Sequence, residues 1–160
     1  MVKQERIWQA LNEVADPEIP VVSLVEMGIV REARLDGDDA VTVVITPTFS
    51  GCPALHVMRQ EIEAKMRALG FAQVTVETTL HPPWSSDWIS DAARQKLKAF
   101  GLAPPPQHNG RIELTFLAPV ACPYCDSTNT GVKNNFGSTL CRAIHYCYAC
   151  QQPFEQFKAL

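Results

Sequence analysis

Apolar positions first recur at helical spacing: Ile7, Trp8, Leu11 and Val14 fall on one face of residues 2–14. The helix should stop at Asp16-Pro17, because a proline biases the residue before it away from the α region. A loop, DPEIPVVSLVEMG, follows. Residues 29–35 and 40–46 then read as two strands, and Asp36-Gly37-Asp38-Asp39 supplies the hairpin turn between them. VTVVIT is rich in β-branched residues and belongs in the sheet interior. TPTFSGCP ends on Pro53, which suits the first position of a helix. From there Leu55, Met58, Ile62, Met66 and Leu69 recur at steps of three and four until Gly70 stops the run. QVTVETTL, residues 73–80, predicts a third strand.

After the loop HPPWSSDWIS, a third helix is expected from Ser86 or Asp87 to Phe100, with Trp88, Ile89, Ala92, Ala93, Leu97 and Phe100 on its apolar stripe. LAPPPQHN, residues 102–109, reads as a stiff polyproline spacer. RIELTFL, residues 111–117, predicts a strand, and the cysteine-rich remainder begins at Cys122. The fold class implied is α+β. A small mixed sheet packed with helices occupies residues 1–80, a helical connector and Pro-rich linker residues 81–109, and a zinc-ribbon-like module residues 110–160.

Composition narrows the function classes. The chain of 160 residues is 46% hydrophobic and 19% charged, a globular balance with enough apolar surface for a core. Its net charge of −3 argues against nucleic acid as a partner, since phosphates reward clustered positive charge. No apolar run is long enough to span a bilayer, so no membrane association is expected. The first residues, MVKQERIWQALNEVADPE, are amphipathic and acidic, unlike a signal peptide. A cytoplasmic location is expected.

Of six cysteines, Cys52 stands apart and Cys122, Cys125, Cys141, Cys147 and Cys150 crowd the last quarter. Without a sign of export, paired C-x-x-C spacings argue for metal rather than disulfides. Cys122-Pro-Tyr-Cys125 and Cys147-Tyr-Ala-Cys150 each aim two thiolates at one point, and two such turns complete a tetrahedral sulfur site. Zinc is the expected ion, and a rubredoxin-like iron or a labile cluster stays open. Two intact knuckles leave Cys141 as an additional thiol outside the site, and His145 as a surface residue.

Cys52 lies between Gly51 and Pro53 at the start of the second predicted helix. Backbone N–H groups and the helix dipole there favour a thiolate, which can hold a metal transiently or attack an electrophile; a buried structural cysteine is the plainer alternative. Asp16 and Glu18 sit on a proline-fixed turn. They can bind metal, bond to backbone near Cys52, or simply close an Asx-type turn. His56 follows Cys52 by one helical turn, and a packed or solvated role suits it better than ligation. His81, Trp84 and Trp88 fit core packing or a docking surface.

The D-P-E turn at Asp16, Pro17 and Glu18, followed by TPTFSGCP, resembles the iron–sulfur assembly family that includes bacterial SufT-type proteins. That resemblance adds Thr48 to Asp16, Glu18 and Cys52 as residues expected to handle iron or a cluster. The loop reads T-F-S-G where the family often has T-T-P-G. Over nearly the whole chain, PTFSGCPA, HPPWSSDWIS, GLAPP, CPYC, FGSTLC and CYAC-x-x-PF in order resemble the PaaD-type accessory proteins of bacterial phenylacetate catabolism. The resemblance implies a non-catalytic accessory subunit for the phenylacetyl-CoA epoxygenase, a ring 1,2-monooxygenase. Iron or an iron–sulfur cluster would go to its oxygenase or reductase subunit. It implies those subunits and iron–sulfur assembly proteins as partners; an open site with one or two ligands per chain would favour a second copy in a homodimer. A docking subunit and a thiol-dependent enzyme using Cys52 are the alternatives.

Overall fold

The computed structural model describes residues 2–113 and 118–160. It divides into two compact units, Met1–Trp84 and Ser85–Leu160.

In the first unit α1 (Val2–Leu11) is followed by a long connection. Strands β1 (Val30–Leu35) and β2 (Ala40–Ile45), helix α2 (Leu55–Ala68) and strand β3 (Gln73–Thr78) complete it. β2 is the central strand, antiparallel to β1 and parallel to β3. The β-branched run thus lies inside the sheet, as its composition demands: Val41, Val43 and Ile45 are buried with Ile62 and Met66 of α2. Parallel pairing of β2 with β3 requires a crossover, and α2 provides it. α2 begins two residues later than its apolar pattern suggests. Ala54 caps it without a side-chain bond, and Cys52 and Pro53 remain in the preceding turn.

The D-P-E turn is built around Asp16. Its carboxylate is buried and accepts from the backbone N–H of Glu18 (2.8 Å) and Ile19 (3.1 Å). Ala15 bridges to Ser23, and Leu24 N–H donates to the Val14 carbonyl, so residues 12–29 form a closed, ordered connection. Truncating Asp16 strips two backbone donors of their acceptor. Asp16→Ala is expected to cost about 1–3 kcal/mol. Urea unfolding should show a lowered midpoint with an unchanged slope.

The second unit opens with a short 3₁₀ turn, Ser86–Trp88, followed by α3 (Asp91–Ala99). The expected continuous helix from residue 86 to 100 is therefore two pieces. Ile89 is extended, and the Ser90 hydroxyl accepts from Ala93 N–H to start α3 afresh. Ile89, Ala93 and Leu97 are buried, whereas Ala92 and Phe100, expected on the same stripe, are exposed. Strands β4 (Leu102–Ala103), β5 (Thr130–Asn134), β6 (Arg142–Cys147) and β7 (Gln152–Phe157) form one sheet in the order β4-β7-β6-β5. Residues 102–109, read as a spacer, are folded into this unit. Leu102 and Ala103 pair with β7, and Arg94 donates to the Pro105 and Ser86 carbonyls. Asp87 accepts from the backbone of His108 and Asn109. The strand predicted over 111–117 lies largely outside the described residues; 112 and 113 form a short helical turn.

Candidate functional site

Two tight turns carry the cysteine site. The first knuckle lies in the turn before β5, and the second joins β6 to β7. In each knuckle the residue after the second cysteine takes a left-handed conformation: Asp126 has φ 61° and Gln151 φ 59°. This reverses the chain and leaves both thiols of a knuckle on one side. In the first, Asp126 N–H closes onto the Cys122 carbonyl at 2.9 Å. These two positions are functional supports that spacing alone does not reveal. Aspartate is among the residues tolerant of this conformation, and glutamine gives no such signal.

The four sulfurs converge, all ligand atoms lying within 4.8 Å of one another. Cys122 Sγ is 3.7 Å from Cys150 Sγ, and Cys125 Sγ is 3.6 Å from Cys147 Sγ. A disulfide would need about 2.05 Å. A tetrahedral ion with metal–sulfur bonds of about 2.3 Å separates its sulfurs by about 3.8 Å, so the donor set fits such an ion. Cys122 and Cys147 are fully buried and pack with Ala103 and Phe154, which makes the sulfur site part of the second unit's core. The thiols are electrostatically unlike. Backbone N–H donation from Cys150, with a second from Ala149, lowers Cys147 to about 7. Burial, reinforced by the neighbouring thiols, pushes Cys150 up to about 12.

Cys141 is buried, 3.0 Å from the Thr139 hydroxyl, and stands outside the four-thiol group. His145 is not on the surface: it is 7% exposed, stacked on Phe154, and burial lowers its pKa below the ordinary histidine value. The alternation of β6 turns it inward, which RAIHYC does not disclose without its register.

In the first unit Cys52 is half-buried in the loop between β2 and α2. Its N–H donates to the Phe49 carbonyl, and its own carbonyl accepts from Leu55 N–H, both at 3.2 Å. Thr48, in the same loop, is half-buried, and His56 is exposed. Asp16 closes its own turn, and Glu18 contributes a backbone donor to it. Among the described residues the four C-terminal thiols are the one gathering of three or more metal-ligating side chains, and Cys52, Asp16 and Glu18 do not form another. Trp84 is core, with its indole N–H donating to the Met27 carbonyl at 2.9 Å.

Comparison with known proteins follows this two-part geometry. Residues 4–78 match the model of the iron–sulfur cluster assembly protein family, and residues 110–158 match the PaaD zinc beta ribbon domain. An Escherichia coli (strain K12) protein, named as one component of a putative 1,2-phenylacetyl-CoA epoxidase, is 38% identical, across 96% of this chain and 92% of its own length. The chain belongs to the PaaD family. A Porphyromonas gingivalis protein named as an Fe-S protein maturation auxiliary factor is 32% identical over 59% of this chain and 90% of its own. Its match, unlike the E. coli one, spans only part of the present chain. A solved Bacillus anthracis domain of unknown function, DUF59, shares the fold at a TM-score of 0.56 and 23% identity, over 60% of this chain and 92% of that one. PaaD-family membership accounts for both halves: an assembly-type domain and a metal-binding cysteine ribbon in an accessory protein.

Proposed function

We propose that this chain matures the phenylacetyl-CoA monooxygenase system in the cytoplasm, passing iron or an iron–sulfur cluster to its oxygenase or reductase subunit. The observation that carries the reading is the covalent union of the two parts. A domain matching the iron–sulfur assembly family is joined to a closed four-thiol ribbon, and the whole is collinear with the E. coli epoxidase component over 96% of the chain. The ribbon's ion is structural zinc. Four thiolates fill a tetrahedron and leave no open position for chemistry, which suits a metal that holds a fold. All six cysteines are unpaired by disulfides, in keeping with a reducing compartment.

Cys52 is the ligand that handles the cargo. It is half-buried rather than enclosed, and it lies in the loop just before the start of α2. Thr48 and Glu18 flank that role, while Asp16 shapes the turn. A stable cluster generally takes four protein ligands, so the remaining ones come from a second copy or from the client. The test is cellular. In cells lacking this polypeptide, the reductase should be recovered with most of its iron and cluster absorbance missing, and the wild-type chain should restore both. Reductase and oxygenase recovered with full iron content from such cells would sink the reading.

A further inference from the structure

Beyond the thiols, the first unit holds a groove of about 500 Å³ that neither the metal site nor Cys52 uses. One wall is Val14, Ala15, Asp16, Pro17 and Pro20 of the D-P-E connection, with Ala15, Pro17 and Pro20 exposed. The other wall is a face of α2, where Val57, Glu61, Ala64 and Ala68 follow one another at steps of three and four. This face is distinct from the core stripe of Met58, Ile62 and Met66. Val57 is 42% exposed, and Ala64 and Ala68 are exposed too, so the floor is apolar and shallow enough for a backbone to approach.

The polar groups along the groove are unbalanced. Lys65, its one cation, is taken by Glu13 across the groove. Glu61 has no ion pair among the described residues, whereas the buried Asp16 carboxylate in the wall is engaged by the Glu18 and Ile19 N–H groups. The same unit carries twelve Asp and Glu against seven Lys and Arg. A surface of this kind repels acidic segments and rewards a cation placed beside an apolar anchor.

We propose that this groove docks a client segment in which an apolar side chain is followed by a lysine or arginine. The apolar side chain seats on Val57, Ala64 and Ala68, and the cation pairs with Glu61. Amphipathic segments use helix-lined grooves in this way, with anchors spaced by one turn. The inference relies on the accessory reading for the identity of the client, and not on the chemistry of Cys52. It also gives the D-P-E turn a physical role: Asp16 holds the wall rather than an ion.

The probes are short overlapping peptides that tile the oxygenase and reductase subunits, titrated against the full chain by fluorescence anisotropy. Bound peptides should combine an apolar residue with Lys or Arg. Ala64→Arg and Val57→Asp should each weaken them by about tenfold or more, as truncating an anchor does at other interfaces. Glu61→Lys should weaken them comparably without changing the groove's shape, and it decides the matter if the other two variants perturb folding. Cys52→Ala should bind as the wild type, so that docking and iron handling fail separately. The proposal is overturned if no peptide binds, if the bound peptides are acidic, or if all three groove variants bind normally. It is also overturned if Ala64→Arg instead dissociates a dimer in ultracentrifugation, which would make a second copy the occupant.

Discussion

Removing the ion from the four-thiol site should unfold β5, β6 and β7 and leave the first unit standing. A segment of this size buries too little apolar surface to fold unaided, and Cys122 and Cys147 are themselves core residues beside Ala103 and Phe154. Structural zinc supplies about 10–16 kcal/mol in comparable peptides, as much as a typical whole domain's net stability of about 5–15 kcal/mol. Chelation, or Cys122→Ser, should therefore abolish amide-exchange protection across β5 to β7 while β2 and α2 keep theirs. Acid acts in the same direction, because protons compete with the ion for thiolates. Full exchange protection in a chelated chain would show that the ribbon stands on packing alone.

Cys52→Ala should abolish client maturation with almost no change in stability. The side chain is half-buried in a loop, and the bonds its residue makes to Phe49 and Leu55 are backbone bonds that alanine keeps. Its effect on unfolding should stay within about 1 kcal/mol, the scale of substitutions away from the core. Reductase from cells carrying the variant should be as poor in iron as reductase from cells lacking the chain, and the variant itself should still bind one ribbon ion. Asp16→Ala provides the contrast, since it loses stability through its turn. A Cys52→Ala chain that restores a fully loaded reductase would make the thiol a packing residue.

The elements readable from sequence are those whose pattern is local. β2 announces itself by consecutive β-branched residues that only a sheet interior accommodates. α2 does so by Met58, Ile62 and Met66 returning to one face. The paired knuckles are legible because two cysteines three positions apart can share an ion whatever surrounds them. The misread segments depend on partners far along the chain. Residues 102–109 look like a spacer, since a strand of two residues has no period, and only pairing with β7 makes Leu102 and Ala103 buried. The break before α3 hinges on whether Ser90 caps or continues a helix, and a serine permits both. His145 turns inward through the register of β6 against β7.

The α+β class, the interior place of β2, the apolar stripe of α2 and the two paired cysteine knuckles were thus legible in local pattern. Each follows from spacing along a few turns or one strand. Tertiary structure alone decided that Asp16 holds a turn, that the proline-rich segment joins the ribbon's sheet, and that an acidic-edged groove lies beside α2. Such features come from side chains and backbone groups brought together across many residues, and no local period encodes which of them will meet.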